Sequence, residues 1–293
     1  MKVGIIGHRG GWHAAALQEK LVAHGVEAPF FDITRLTARL SMRPWLEADG
    51  EALESYDALL VRLIPGGSLE QVIFRVDALH RLENAGVRVI NSPTAIERTV
   101  DKYYTSSLLE DAGLPTPRTV VVEQAGAAME AFEALGGDVV VKPIFGSEGR
   151  GMVRVSDPDI AHRVFRALDL GQYVYYLQTF VPHDQQDVRV FVVGGEAVAG
   201  IARRGETWKT NVAQGAEAVP LSLDSELRRL SEQAARALGA DYAGVDLLPA
   251  QEGGYVLIEV NGIPGWQGLQ GATGVDIAGL LVDYVLREID ETA

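Results

Sequence analysis

The first 90 residues alternate between short apolar runs and longer amphipathic stretches, as β-strands and α-helices do when they follow one another. Gly25 and Gly86 come directly after the two amphipathic stretches, where they are expected to end helices. This β–α–β rhythm predicts a small parallel sheet with helices on its faces. The predicted strands are Val3–Ile6, Val26–Ile33, a run within Ala52–Leu63 and Val87–Ile90, and the predicted helices are His13–His24 and Ser68–Ala85.

The rhythm stops at Asn91-Ser92-Pro93, which predicts a domain boundary and a first domain over residues 1–93. The elements that follow predict a second domain over residues 94–182. They are a helix over Thr94–Ala112, a rigid connector at Leu114–Pro117, a strand at Thr119–Glu123, a helix at Ala127–Leu135, two β-type runs within Val139–Val155 and an apolar strand at Tyr173–Val181.

Two hairpins are predicted in the rest of the chain, which forms a third domain over residues 183–293. Val188–Val193 and Glu196–Arg203 flank Gly194-Gly195, a two-residue turn signal. Tyr242–Leu248 and Tyr255–Val260 are separated by a short, polar, Gly-rich segment and are expected to pair as well. Amphipathic helices are predicted at Asp224–Leu238 and Val275–Glu288.

The second hairpin carries three side chains with oxygen donors. Pairing of its strands would bring Asp246 and Glu259 side by side, and Asn261 points the same way as Glu259 because side chains alternate along a strand. Oxygen donors on a rigid scaffold suit Mg²⁺, which is often held by one or two carboxylates while phosphates and water complete its shell. The alternative is that both carboxylates lie at solvated strand ends.

A glycine-rich loop lies between the two β-type runs of Val139–Val155. Gly146, Gly149 and Gly151 allow backbone N–H groups to approach phosphate oxygens, and Lys142 at the base of the loop supplies positive charge. The spacing is not that of a Walker A loop. An ordinary Gly-rich hairpin is the alternative interpretation.

Other segments also leave two interpretations open. The turn at Gly7–Gly11 lacks the spacing of a dinucleotide fingerprint and is either a tight turn or a helix N-terminus facing an anionic substrate. Tyr173–Val181 is either a core strand or a docking segment for a nucleobase. Arg189 and Arg203 are unusual charges on strands of the first hairpin.

Composition and charge narrow the class of protein. The chain has 293 residues, 47% of them hydrophobic, which is enough for two or three packed units. Its net charge of −14 disfavours broad nucleic-acid binding and docking on an anionic membrane. It has no cysteine, no signal-peptide pattern and no apolar run near the roughly 20 residues of a membrane span. We therefore expect a cytoplasmic protein.

The order of these motifs resembles that of the ATP-grasp ligases, and most closely the RimK-like α-L-glutamate ligase family. An Asp101-Lys102 pair is followed by Lys142 with its Gly-rich loop, an apolar linker strand, an Arg-bearing hairpin, GVD and finally EVNGIPG. The resemblance covers nearly the whole chain. It implies an ATP-grasp fold, α/β and α+β, with an N-terminal pre-ATP-grasp domain built on the small parallel sheet.

The resemblance also implies roles for individual residues. Lys102 and Lys142 would contact ATP phosphates, and the loop would cover them. Arg189 and Arg203 would stabilise the negative charge of the transferring phosphoryl group. The remaining nucleotide contacts would be Gly146, Ser147, Gly149, Gly151, Gln178, Thr179, Phe180, Asp187, Lys209 and Asn211, and the ligands of two Mg²⁺ ions, with Mn²⁺ as an alternative, would be Asp246, Glu259 and Asn261.

The implied reaction joins a small-molecule or peptide carboxylate to an amino acid through an acyl phosphate, with conversion of ATP to ADP and phosphate. Gln-Thr in the linker and Asn-Gly-Ile-Pro-Gly near the end depart from the RimK pattern and leave the substrate open. A dipeptide or D-alanine-type ligase and a non-catalytic ATP-binding protein are the alternatives, and a homo-oligomer is compatible with all of them. Arg9 and Arg62 are candidate contacts for the acceptor carboxylate, and His8 and His13 are candidate bases by residue type alone.

Overall fold

The structure is a computed structural model that describes residues 1–146, 149–210, 215–251 and 253–292. The strands within these residues are β1 (Val3–Ile6), β2 (Phe30–Phe31), β3 (Thr37–Ala38), β4 (Leu46–Ala48), β5 (Glu51–Ala52), β6 (Ala58–Val61), β7 (Arg88–Ile90), β8 (Thr119–Val122), β9 (Val139–Lys142), β10 (Val153–Val155), β11 (Tyr175–Thr179), β12 (Gln186–Val193), β13 (Glu196–Arg204), β14 (Glu217–Pro220), β15 (Tyr242–Pro249) and β16 (Tyr255–Asn261). The helices are α1 (Trp12–Ala23), α2 (Leu69–Asn84), α3 (Pro93–Val100), α4 (Lys102–Asp111), α5 (Ala125–Ala134), α6 (Pro158–Asp169), α7 (Ser225–Leu238), α8 (Gln267–Thr273) and α9 (Ile277–Thr292).

The N-terminal strands form the predicted parallel sheet, in the order β2-β1-β6-β7. Ser68 caps the start of α2 with a capping box, in which its hydroxyl accepts from Gln71 N–H and Gln71 Oε1 accepts from Ser68 N–H. The predicted strand Val26–Ile33 is wrong in length, because only Phe30–Phe31 pair with β1. Pro29 lies in that segment and has no N–H to donate to a ladder.

The predicted helix Thr94–Ala112 is also wrong, since the chain forms two helices that meet at Asp101. Asp101 has extended backbone angles, φ −90° and ψ 105°, and its side chain accepts from Tyr104 N–H at 3.0 Å. It therefore ends α3 and caps α4, as aspartate commonly does at a helix start. The break makes Lys102 the first residue of α4 and turns it toward the loop after β9.

The second sheet has the order β10-β9-β11-β8 and is antiparallel throughout. Helices α5 and α6 pack on it around Phe132, Phe165 and Tyr175. No prediction was made for α6 or for the small β3-β4-β5 sheet in the N-terminal part. The second sheet presents Lys142 and Gln178 from neighbouring strands, two residues apart in register.

The third sheet has the order β14-β13-β12-β15-β16, and both predicted hairpins are confirmed as β12–β13 and β15–β16. Its register aligns charged residues across adjacent strands: Asp187 with Arg203, Arg189 with Asp246, and Asp246 with Glu259. The mixed α/β architecture agrees with the predicted fold class. The division at residues 93 and 182 stays a prediction.

One hydrophobic core joins the first and third sheets. It contains Val3 and Leu17 from the N-terminal part together with Phe191, Tyr242 and Trp266 from the C-terminal part. In the described ranges no single helix meets the length and hydropathy of a membrane span, and α8 with α9 meets them only as a pair bent by 111°. The apolar face of α9, including Leu281 and Val285, is buried in this same core.

Candidate active site

The second and third sheets face each other across a cleft of about 820 Å³, including its open mouth. Most of the residues predicted from the sequence line this cleft, although they come from α4, β9, β11, β12, β13, β15 and β16. They are Lys102, Lys142, Gly146, Gly149, Gln178, Thr179, Phe180, Asp187, Arg203, Lys209, Asp246 and Glu259. Gly151, Arg189 and Asn261 are described but do not line it, and Ser147 and Asn211 lie outside the described residues.

Two lysine ammonium groups enter the cleft, one from the start of α4 and one from the end of β9. Lys102 Nζ donates to Gly146 O at 2.7 Å, and Lys142 Nζ donates to Gln178 Oε1 at 2.6 Å. Burial lowers the pKa of both lysines, and it lowers that of Lys142 from its ordinary 10.5 to about 8 even though Glu259 acts in the opposite direction. Two partly desolvated cations in one cleft favour a multiply charged anion as the ligand.

Gln178 is a buried residue of the cleft wall with three side-chain partners. Its Nε2 donates to Thr119 Oγ1 at 3.0 Å and to Tyr176 Oη at 3.1 Å, while its Oε1 accepts from Lys142. The side chain is 3% exposed. These contacts orient Lys142, and the predicted contact of Gln178 with a nucleotide stays a prediction.

A chain of ion pairs crosses the floor of the cleft. Arg189 donates from Nε and Nη2 to Asp246 at 2.6 and 2.7 Å, and Arg203 donates in the same two-pronged way to Asp187 at 2.6 and 2.7 Å. Arg203 Nη2 also lies 2.8 Å from Asp246 Oδ2 and links the two pairs. Burial would raise the pKa of Asp246, but the two guanidinium groups outweigh it and hold that pKa below its usual range.

The pKa of Asp187 is shifted in the opposite direction within the same network of ion pairs. Its burial is the larger influence and raises the pKa of the carboxyl, although Arg203 and the Thr210 hydroxyl both act to lower it. Thr210 donates its hydroxyl to Asp187 Oδ2 and so attaches the loop before residue 211 to the floor of the cleft. Asp187 thus accepts three hydrogen bonds within the protein, and its predicted contact with the nucleotide stays a prediction.

The oxygen donors fit a hard divalent cation. Glu259 is half-buried, lines the cleft and makes no hydrogen bond or ion pair with any residue that the structure describes. Arginine N–H groups use three of roughly four acceptor positions on Asp246, and Asn261 Oδ1 accepts from Ile263 N–H at 2.9 Å, so each keeps acceptor capacity. Within the described ranges no three His, Asp or Glu side chains surround one point, so ligand phosphates or water would complete the shell.

At one end of the cleft the predicted Phe180 is joined by three residues that the sequence analysis did not identify, Arg154, His183 and Trp208. Phe180 meets Trp208 edge to face with centroids 6.3 Å apart, and the Arg154 guanidinium lies 3.5 Å from the Phe180 ring centroid. His183 bridges the two segments, with Nδ1 2.7 Å from Val181 O and Nε2 2.9 Å from Trp208 O. The only signal in the sequence was the type of these residues, because their contacts join positions 25 residues apart.

Arg62 and His13 lie at the contact between the N-terminal and C-terminal parts. Arg62 donates to Tyr242 Oη at 2.9 Å and to Pro264 O at 2.7 Å, and His13 Nε2 accepts from Trp266 N–H at 2.9 Å. These contacts place both residues in structural roles. His8 and Arg9 instead line a separate open groove at the carboxyl ends of β1 and β2.

Comparison with known proteins agrees with this geometry. The structure resembles that of the ATP-grasp ligase PsnB in complex with a minimal precursor, Mg and ADP, with a TM-score of 0.78 over 98% of this chain and 97% of that one at 23% identity. This likeness defines the class of fold, the ATP-grasp ligases. Residues 99–285 match the model of the RimK-like ATP-grasp domain.

Two curated relatives support the same assignment. The chain is 36% identical over 262 residues to the tetrahydromethanopterin:alpha-L-glutamate ligase of Methanosarcina acetivorans, covering 80% of this chain and 81% of that protein. It is 34% identical over 215 residues to the alpha-aminoadipate–LysW ligase LysX of Sulfurisphaera tokodaii, covering 71% and 74%. The chain therefore belongs to the RimK-like ATP-grasp family, as its motif order predicted, and is an enzyme of the carbon–nitrogen ligase class.

Proposed function

We propose that this enzyme is an ATP-dependent carboxylate–amine ligase that adds L-glutamate or a similar amino acid to a small-molecule or peptide carboxylate. One observation carries the proposal: two lysines, a paired Asp246 and a Glu259 with no partner among the described residues converge on one cleft in a chain whose relatives are amino-acid ligases. The substrate carboxylate would attack the γ-phosphate of ATP, giving an acyl phosphate and ADP. The amine would then attack the acyl carbon and displace phosphate.

Each group in the cleft has a role in this scheme. Phosphoryl transfer depends mainly on alignment and on positive charge over the phosphate oxygens. Lys102 and Lys142 would neutralise those oxygens, and Glu259, Asp246 and Asn261 would hold two Mg²⁺ ions, which supply further charge stabilisation when bound. Arg203 lines the cleft and would face the transferring group. Arg189 does not line it and would act by orienting Asp246.

The choice of amine rests on the relatives. One acts with L-glutamate and another joins alpha-aminoadipate to the protein LysW, so amino acids with an acidic side chain recur. The second substrate named for the first relative is tetrahydromethanopterin and for the other LysW. We therefore assign an acidic amino acid as one substrate and a carboxylate of either small-molecule or peptide type as the other.

Phosphorus NMR of the nucleotide products tests the proposal. The purified enzyme would receive ATP, Mg²⁺ and a small-molecule cell extract, with and without L-glutamate, and D-alanine would serve as the comparison amine. Formation of ADP and phosphate that rises with glutamate supports the acyl-phosphate ligase. Formation of AMP and pyrophosphate would refute it, and stimulation by D-alanine alone would assign a D-alanine-type ligase instead.

A further inference from the structure

The segment that follows the predicted metal ligands is held almost entirely by the N-terminal part of the chain. We call residues 262–267 the exit loop, since they leave β16 directly after Asn261. Three side chains from the N-terminal part form hydrogen bonds with the exit loop or the strand beside it: His13, Arg62 and Asn91. None of the three lines the cleft.

Asn91 joins the beginning of β15 to the end of β16. Its Nδ2 donates to Tyr242 O at 2.7 Å and to Gly262 O, and its Oδ1 accepts from Asp241 N–H at 2.6 Å and Tyr242 N–H at 3.1 Å. The side chain is fully buried. A single amide thus joins the two strands just beyond the last pair of their ladder, Gly244 with Asn261, a few residues from both Asp246 and Glu259.

Arg62 and His13 hold the remainder of the exit loop. Arg62 donates to Pro264 O at 2.7 Å and its guanidinium lies 4.6 Å from the Trp266 ring centroid. His13 Nε2 accepts from Trp266 N–H at 2.9 Å and from Gln267 N–H at 3.3 Å, two donors that would otherwise be unsatisfied at the start of α8. Burial and the nearby Arg62 lower the pKa of His13 to about 4, so the ring is neutral and able to accept.

The exit loop has little space in which to move. A Cβ at Gly262 would overlap the Thr99 hydroxyl, and one at Gly265 would lie 3.3 Å from His13. Trp266 is completely buried in the core shared by the first and third sheets. A displacement of the N-terminal part would therefore be transmitted to the backbone next to Asn261.

We infer that His13, Arg62 and Asn91 are positioning residues for the metal-binding side chains, so that the N-terminal part completes the metal site without contributing a ligand to it. The inference rests on the proposed function only in taking Asp246, Glu259 and Asn261 as the ligands. Partners that orient metal ligands typically change metal affinity by about 10-fold to 100-fold when removed.

Mn²⁺ binding to the full-length protein in the presence of ADP tests the inference, with free Mn²⁺ measured by EPR. This readout does not require the ligation reaction or its unknown acceptor. In His13→Leu the acceptor for Trp266 N–H is lost, whereas His13→Gln keeps an acceptor oxygen near the position of Nε2. We expect the Mn²⁺ dissociation constant to be about 10-fold larger for the Leu variant and to return toward the wild-type value for the Gln variant.

In the second comparison Asn91→Asp is the test variant and Arg88→Gln is its control. The aspartate preserves the two acceptor contacts of Oδ1 but loses the donor to Tyr242 O and Gly262 O, and we expect weaker Mn²⁺ binding again. Arg88 pairs with Asp241 and Glu288 across the same interface without touching the exit loop, so its substitution should lower the melting temperature and leave Mn²⁺ binding unchanged. Melting temperatures of all variants accompany the titrations.

The outcomes separate the two proposals. Wild-type Mn²⁺ affinity in His13→Leu and in folded Asn91→Asp would overturn the positioning role and leave the proposed ligase intact. If Asn91→Asp does not fold, the comparison of His13→Leu with His13→Gln decides alone. Equal weakening in Arg88→Gln would show a general loss of stability and would also overturn the inference. A wild-type protein that binds no Mn²⁺ with ADP would instead refute the metal assignment of the proposed function.

Discussion

Lys142 should make nucleotide binding depend on pH in the alkaline range. Burial lowers its pKa to about 8 in the free protein, so about 90% of molecules carry the proton at pH 7 and about 10% at pH 9. A bound phosphate stabilises the charged form and returns the pKa toward its ordinary 10.5. Below pH 8 the proton is already present and binding takes up none. Above pH 8 binding must take up a proton, so the affinity falls as the pH rises.

The magnitude follows from the two protonation states. If the pKa rises from about 8 to near its ordinary value on binding, the affinity for ADP with Mg²⁺ should fall about tenfold between pH 7 and pH 9. Isothermal titration calorimetry at both pH values measures it. Repeating the titration at pH 8.5 in buffers of different ionisation enthalpy counts the proton directly.

The matched variant is Lys142→Arg, because a guanidinium keeps its charge throughout this range. Its pH dependence should shrink to the part contributed by Lys102, whose pKa is also lowered by burial. Equal wild-type affinity at pH 7 and pH 9 would refute the reasoning. So would a Lys142→Arg variant that keeps the full wild-type pH dependence.

Three further predictions concern the cleft. Glu259→Gln should reduce ADP formation at least 100-fold. The melting temperature should change little, since Glu259 has no hydrogen-bond partner among the described residues. Unchanged turnover with the same Mg²⁺ dependence would show that the metal assignment is wrong. Arg203→Gln should lower the free energy of unfolding in urea by about 3–5 kcal/mol, because it leaves buried Asp187 and Asp246 without a shared partner. A loss below about 1 kcal/mol would contradict this. His183→Leu should raise the KM for ATP more than it lowers kcat, as the bridge between Val181 O and Trp208 O is lost, and an unchanged KM would argue against that role.

Much of the candidate site could be predicted from the chain because its parts are local. The Gly-rich loop, Lys142 at its base and the two hairpins each lie within about 20 residues of sequence. Their turn and alternation patterns are set by backbone geometry. Local patterns of this kind predict elements well, and the order of the elements identified the family.

The parts that could not be predicted depend on contacts distant in sequence. Asp101 lies in an uninterrupted helical pattern of the sequence, and only its capping geometry shows that the helix breaks before Lys102. The interactions of Gln178 with Lys142 and of His183 with Trp208 join different elements. The sequence around Arg62 suggests an exposed cation, because its hydrogen-bond partners Tyr242 and Pro264 are 180 and 202 residues away in the chain.

Two β-bulges account for the alignment of charges that the hairpin turns alone do not give. From the turn at Gly194-Gly195, regular pairing would set Asp187 opposite Ala202, but the shift between Phe191 and Val192 sets it opposite Arg203. From the pairing of Pro249 with Tyr255, regular register would set Asp246 opposite Ile258, but the shift beside Asp246 sets it opposite Glu259. Bulges often redirect side chains next to active sites.

The resulting charge balance explains why Glu259 is the carboxylate available to a cation. Arg203 and Arg189 together neutralise Asp187 and Asp246, which are buried and need such partners. Glu259, the third carboxylate in the aligned row, has neither arginine as a partner and faces the cleft with Lys102 and Lys142. In the free protein Lys142 is largely protonated at pH 7 and offsets the charge of Glu259, although burial lowers the pKa of both lysines. A divalent cation bound with a nucleotide would satisfy Glu259 and leave the lysines for the phosphate oxygens, so metal and nucleotide should bind cooperatively.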